Sequence, residues 1–209
     1  MRYTGPKARR VRRQGFNVYG SEKYDKILQR KPYAPGMQAA SRAGGRAAKL
    51  SEYGKQLLEK QKICSMYGVH DKQLRSIYAE ASRQIGQTDA LMHGILERRL
   101  DSALYRAGFA KNRLQSRQFV SHGLFTVNGT RVTIPSYRVE PGDIVKVRES
   151  RKSSPVFGPI ISANDKYVSP DWIKADPSTL TFEVKALPAE EKHFEMGVDM
   201  RKVIGFYSR

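Results

Sequence analysis

Arg113, Arg117 and Ser121 recur at i, i+4 and i+8, so on a helix they share one face, with Phe119 and Val120 turned toward a packed side. Arg106 precedes them, His122 follows, and Arg131 lies on the polar face of the next element. Guanidinium groups held on a rigid scaffold grip phosphate oxygens in pairs, and each neutralised phosphate releases counterions. The chemistry this pattern fits is recognition of a folded phosphate backbone. Catalysis is a poorer fit. Glu190 with Glu191, or Asp165 with Asp171, are paired acids whose side chains do not converge on one site. Ser116, Ser121 and His122 set hydroxyls near an imidazole without an acid to orient it. AGGRAAK lacks the spacing and the Lys-Ser/Thr ending of a phosphate loop. Cys64 sits in an apolar helical stripe and reads as packing, and His70, His93, His122 and His193 lack metal-ligand spacing. The expectation is a binding protein, not an enzyme, with no cofactor, no metal and no small-molecule substrate.

These side chains need a helix and a hairpin to hold them. In VSHGLFTVNGTRVTI, residues 120–134, Asn128-Gly129 suits the two positive-φ positions of a type I′ turn. Closing a two-residue loop there pairs Val127 with Thr130, Phe125 with Val132 and Gly123 with Ile134. Alternation then puts Phe125, Val127, Val132 and Ile134 on a core face and Thr126, Arg131 and Thr133 on a polar one. Upstream, Thr88 is a candidate N-cap with Asp89 in the first turn. Leu96, Leu100, Ala103, Leu104 and Ala107 predict one buried stripe on a helix running to about Ala107. A shorter helix spans about 111–122. Downstream, Pro141-Gly142 suits a type II turn, and a strand over Ile144–Arg148 turns Val145 and Val147 inward and Lys146 and Arg148 outward. Ser51 to Gln84 has helical periodicity, with stripes of Leu57, Leu58, Ile63, Met66 and Tyr67 and then Leu74, Ile77, Tyr78 and Ala81, broken at Gly68. Val156–Ile161 and Leu180–Leu187 read as strands.

The chain has 209 residues, with 38 Lys+Arg against 20 Asp+Glu and a net charge of +18. A compact chain that charged repels itself unless a polyanion neutralises it, which makes nucleic acid the leading partner. No apolar run approaches the ~20 residues of a membrane-spanning helix, and MRYTGPKARR does not read as a secretory signal. One cysteine rules out an intrachain disulfide and fits a reducing compartment. Residues 1–50 carry 13 Lys+Arg against Glu22 and Asp25 and few large apolar side chains, so they are expected to form an extended arm that orders on its partner.

ERRLDSALYRAGFAKNRLQSRQFVSHGLFTVNGTRVTIPSYRVEPGDIVKVRE resembles the small helix–helix–hairpin RNA-binding domain named after small-subunit ribosomal protein four. GPKARRVRRQG, LSEYGKQLLEKQKICSMYG and the terminal FYSR resemble the bacterial-type members of that ribosomal family, so the likeness covers most of the chain. It implies a primary binder of small-subunit rRNA at the 5′-domain multi-helix junction, acting early in assembly, in the cytoplasm on the ribosome. It also implies ribosomal proteins three and five as neighbours, a position where mRNA enters the subunit, and a part in translational accuracy. Some members hold zinc with four cysteines in the N-terminal arm; this chain has none before Cys64 and fits the zinc-free form.

The fold expected is α+β: a basic N-terminal arm, an all-helical lobe, and a lobe carrying the helix–helix–hairpin domain on a small, mainly antiparallel sheet. The expected bounds are 1–50 for the arm and 51–95 for the helical lobe, with about 188–209 packing back on it. The RNA-binding domain takes 96–150, and 151–187 supplies further strands and loops. Candidate RNA contacts in the arm are Lys7, Arg9, Arg10, Arg12, Arg13 and Lys49. In the helical lobe they are Ser51, Tyr53, Lys55, Gln56, Lys60 and Lys62, with Arg75 a further basic position. In the second lobe they are Arg106, Arg113, Arg117, Gln118, His122, Asn128, Arg131, Ser136, Tyr137 and Arg138. Arg113 and Arg117, on a fixed helix, are expected to outweigh Lys23 and Lys26, on a segment that orders only on binding. Two other functions share the domain: a modifying enzyme anchored by it, which needs a catalytic domain as well, and a free RNA chaperone or ribosome-associated stress factor.

Overall fold

The computed structural model describes residues 3, 5–36, 50–152, 154–158, 160, 167–188 and 197–208. Lys49, Ile161, Asp165, Glu190, Glu191 and His193 lie outside the described residues. The chain forms two compact units, Met1–Asp89 with Glu195–Arg209, and Ala90–Phe194.

The first unit is helical. Helix α1 (Lys7–Gln14) is closed by Gly15 in the left-handed region, φ 65°. Helix α2 (Glu22–Arg30) has acids in its first turn and a base in its last, which suits the helix dipole. The expected extended arm is therefore corrected over residues 7–30. Its one branched apolar side chain in α1, Val11, is fully buried, and Val18 and Tyr19 are buried after it. Gln14 Nε2 donates to the Gln61 carbonyl and to Ser65 Oγ at 3.1 and 3.2 Å. Those residues lie on α3 (Glu52–Met66), which Ser51 caps by accepting from Gly54 N. Gly68, φ 60°, breaks the chain before α4 (Asp71–Ala81). Ile63, Met66, Tyr67, Leu74, Ile77 and Ala81 of the two stripes are buried, while Leu57, Leu58 and Tyr78 are only half-buried. The C-terminal helix α8 (Met200–Tyr207) lies against α3 and α4 through ring pairs Tyr53–Phe206 and Tyr78–Tyr207.

The second unit is α+β. Helices α5 (Thr88–Glu97), α6 (Leu100–Arg106) and α7 (Arg113–Ser121) precede β1 (Phe125–Val127), β2 (Thr130–Arg131) and β3 (Ile144–Val147). Then come β4 (Ile173–Asp176) and β5 (Thr181–Val184), and the antiparallel sheet runs β2-β1-β3-β5-β4. Asn128 and Gly129 have φ of 50° and 83°, and Val127 pairs with Thr130. The Asp143 amide donates to the Glu140 carbonyl at 3.0 Å with Gly142 at φ 92°, as a type II turn needs. Phe125, Val127, Val145, Val147, Phe182 and Val184 point into one core with Leu100, Leu104, Phe119 and Val120.

Four expectations change here. The single helix to Ala107 is two, because the 135–139 backbone inserts at its middle. Leu100 N donates to the Tyr137 carbonyl at 2.7 Å, Val139 N to that of Arg98 at 2.8 Å, and Arg99 is extended. The stripe still holds, since Leu96, Leu100, Ala103, Leu104 and Ala107 are all fully buried. Thr88 is the first residue of α5, not its cap. Ile134 is 60% exposed, off the core face. At Val156 and Phe157 there is a turn instead of a strand, followed by helical Gly158 and Ile160; the Phe157 amide donates to the Ser154 carbonyl, Phe157 and Ile160 enter the core and Val156 stays outside.

Because a Cβ at Gly129 would meet nothing within 4 Å, Gly129→Ala isolates the backbone requirement of the turn. A cost of about 1–2 kcal/mol in urea denaturation is expected. A neutral substitution would mean that positive φ is not what the turn needs.

Candidate nucleic-acid interface

Two buried carboxylates organise the arginines that the sequence singles out. Glu97, fully buried at the end of α5, accepts from Arg106 Nε and Nη2, both at 2.9 Å, and from Arg113 Nη2 at 2.9 Å. It thereby ties α5 to α6 and α7. Asp101, buried in the first turn of α6, accepts from Arg99 Nε and Nη2 at 3.1 and 2.9 Å and from Arg117 Nη1 at 3.2 Å. Ser116 Oγ donates to the Asp101 carbonyl, fastening α7 to the same point. Arg113 also stacks 4.7 Å from the Tyr105 ring, and its side chain is only 9% exposed. Arg117 is 29% exposed. Of the two, Arg117 keeps more surface in solvent and Arg113 is part of the scaffold.

The C-terminal end of α7 gathers the outward cations. Gly123, φ 65°, has no Cβ, and the Arg131 guanidinium occupies that space; a Cβ would lie 2.6 Å from Nη2. Arg148 Nη1 reaches the Gly123 carbonyl at 3.4 Å. With exposed Gln118, Ser121 and His122 beside them, these groups sit at the negative end of a helix dipole. The hairpin tip is used differently. Asn128 Nδ2 donates to Asp143 Oδ1 at 2.8 Å, and its Oδ1 accepts from Ile144 N at 2.9 Å, so its side chain serves the sheet. Ser136, Tyr137 and Arg138 are exposed on the loop whose backbone splits α5 from α6.

In the first unit, Arg9 and Arg13 stand exposed one turn apart on α1. The other three cations of that helix are held over tyrosines: Lys7 over Tyr19, Arg10 over Tyr3 and Arg12 over Tyr33, at 5.7, 3.4 and 4.9 Å from the ring centroids. Arg12 Nε also donates to the Tyr33 carbonyl at 3.1 Å. Lys60 and Lys62 are taken up by packing. Lys60 bonds Asp71 at 2.7 Å above the Phe206 ring, and Lys62 bonds Glu59 at 2.7 Å. The hydrogen bond from Lys60 holds the Asp71 carboxyl below the usual range, while burial and then the Asp71 bond push the Tyr207 phenol up. Lys55 pairs with Glu52 at 3.0 Å, Ser51 is the α3 cap, and Gln56 lies along Gly205 of α8. Tyr53 stays half exposed against Phe206, and Arg75 is exposed on α4. Lys23 and Lys26 are exposed on an ordered helix, so the ordering cost expected to rank them below Arg113 and Arg117 does not apply.

Glu97, Arg98, Arg99 and Asp101 were not among the candidates. Their signal is the run ERRLD, two acids in a strongly basic stretch. Burial pushes the Cys64 thiol up to about 11, which suits packing and not nucleophilic chemistry. Among the described residues, no group of His, Cys, Asp and Glu side chains could hold a metal ion, and no helix is long and apolar enough to cross a membrane.

A prefolded helix–helix–hairpin in which buried carboxylates fix some arginines and leave others at the surface is the architecture of a polyanion-binding protein. Two family models match the chain, the ribosomal protein S4/S9 N-terminal domain over residues 2–97 and the S4 domain over residues 98–145. Small ribosomal subunit protein uS4 of Persephonella marina is 42% identical over 99% of this chain and 98% of its own length. The uS4 proteins of a Roseiflexus species and of Borrelia turicatae are each 40% identical, over 100% and 97% of this chain and 99% and 96% of their own. The chain belongs to the uS4 family of small ribosomal subunit proteins.

Proposed function

We propose that the protein is a structural, non-enzymatic constituent of the small ribosomal subunit that binds small-subunit rRNA and works in the cytoplasm as part of the ribosome. The observation that carries this reading is the end-to-end match to uS4 relatives, 96–99% of whose lengths are covered. It disfavours the alternative of a free RNA chaperone or stress factor. The exposed cations Arg9, Arg13 and Arg131 and the partly exposed Arg117 are the best-placed phosphate contacts, with Gln118 and His122 beside them and Arg138 on the following loop. Lys7, Arg10, Arg12, Arg106 and Arg113 hold the elements that carry those contacts. In this reading residues 96–150 are the RNA-binding module and the basic N-terminal segment with the helical unit is a second contact region. The resemblance further supports a place at the 5′-domain junction, early in assembly, beside ribosomal proteins three and five and near where mRNA enters.

Co-sedimentation tests the reading. One copy of the chain per small subunit, retained through a high-salt wash, is the expected outcome. A substoichiometric level that rises only under stress would replace it with the stress-factor alternative.

A further inference from the structure

Helix α2 carries a row of cations that no internal partner neutralises. Lys23, Lys26 and Arg30 fall at i, i+3 and i+7, within roughly 60° around the helix axis. All three are exposed, and Lys31, also exposed, follows at the C-cap. The adjoining side of the helix is the one that packs. Tyr24 lies 5.4 Å from the Tyr19 ring, and Ile27 and Leu28 are half-buried. That packing fixes the direction in which the row points.

Basic faces on soluble helices are commonly paired with acids one turn away. The two acids of α2 are not used in this way. Asp25 accepts from Asn17 Nδ2 at 2.9 Å and stands about 100° round the helix from the nearest of the three cations. Glu22, one turn before Lys26, does not pair with it; among the described residues no carboxylate comes within ion-pair distance of Lys23, Lys26 or Arg30. Helix α1, which packs against α2, adds five cations and no carboxylate. The arginines of α7 differ, since Arg113 bonds Glu97 and Arg117 bonds Asp101.

We infer that Lys23, Lys26 and Arg30 form a phosphate-binding ridge that takes one RNA strand along its backbone. It supplies more of the salt-dependent affinity than Arg113 and Arg117 do together. Seven residues at 1.5 Å each make the ridge about 10 Å long, enough to face several phosphates of one strand. Its cations meet those phosphates without first leaving a carboxylate, and the helix under them is already ordered. The inference rests on the proposed rRNA-binding role. It reverses the order expected from the sequence, in which Lys23 and Lys26 rank below the α7 arginines.

Titration of the full chain against a small-subunit rRNA fragment at several salt concentrations tests it. Lys23→Gln, Lys26→Gln and Arg30→Gln together should flatten the slope of log affinity against log salt by roughly 2–2.7, three contacts at ~0.7–0.9 each. The melting temperature should stay within a few degrees, because the three side chains are exposed. Removing the same charge from three other exposed lysines, with Lys72→Gln, Lys174→Gln and Lys185→Gln, should flatten it by less than one such contact. Equal slopes for the two variants would mean that net charge alone is read, and would overturn the inference. So would an unchanged slope for the α2 variant, the result for a face left to solvent or to an acidic protein. A second measurement is independent of the variants: bound rRNA should protect Lys23 and Lys26 of the unsubstituted chain from acetylation at least fivefold more than Lys72. Equal reactivity at all three would also overturn the inference. Failure of the unsubstituted chain to bind the fragment would instead contradict the rRNA-binding role itself.

Discussion

Glu97→Gln is expected to destabilise the second unit by about 3–5 kcal/mol, among the largest effects of any single substitution in the chain. The carboxylate is fully buried and holds two arginines, Arg106 through Nε and Nη2 and Arg113 through Nη2. Removing its charge leaves two guanidinium groups in a region that water reaches poorly, with side chains 17% and 9% exposed. The loss is the cost of those uncompensated cations, not the net worth of the triad. Replacing all three together, with Glu97→Leu, Arg106→Met and Arg113→Met, should therefore recover most of the stability. Urea denaturation followed by circular dichroism measures both variants. If Glu97→Gln lost under 1 kcal/mol, or if the triple variant were less stable still, the carboxylate would not be the joint between α5, α6 and α7.

Phe157→Ala is expected to cost about 3–5 kcal/mol. Phe157 lies beyond the segment matched by the S4-domain family, which ends at residue 145, yet it is fully buried. Its ring packs 5.8 Å from Phe119 of α7 and edge-on, 6.2 Å, against Phe125 of β1. Phe182 of β5 reaches the same core through Phe109, 5.8 Å away, and β5 separates β3 from β4 in the sheet. Phe157, Trp172, Phe182 and Val184 thus complete the core of this unit. A loss as small as that of an exposed phenylalanine, within about 0.5 kcal/mol, would mean that the module is stable without them.

What could be read from the sequence follows from how local each cause is. The hairpin is legible because a two-residue turn with positive φ at both positions leaves few choices besides Asn-Gly, and Asn128-Gly129 states it outright. The buried stripe from Leu96 to Ala107 is legible as a period, but the break at Arg98-Arg99 is not, because the backbone that causes it arrives some forty residues later. The helix in the N-terminal segment is hidden by charge: α1 buries little besides Val11 and Gln14 and is marked only by Pro6 before it and Gly15 after it. Strand β4 and the turn at Phe157 carry too few alternating residues to show a period. The candidate site was legible as a class and only in part by residue. Arg113 and Arg117 are equivalent on a helical wheel and each reaches a buried carboxylate sixteen positions upstream, Glu97 and Asp101; what separates them is exposure, 9% against 29%. Spacing shows that guanidinium groups share a face but not how much of each a buried carboxylate leaves to solvent.

In the proposed role, rRNA is held by outward cations on a scaffold that inward cations keep rigid. The salt dependence of binding to an rRNA fragment tests it most directly. Arg131→Ala should flatten the slope of log affinity against log salt by ~0.7–0.9 while leaving the melting temperature within a few degrees. Arg113→Ala should do the reverse, lowering the melting temperature and leaving the slope of the molecules that remain folded unchanged. If Arg113→Ala flattened the slope and Arg131→Ala did not, the cation buried against Glu97 would be the one that meets the phosphates, and the division between scaffold and contact would be contradicted.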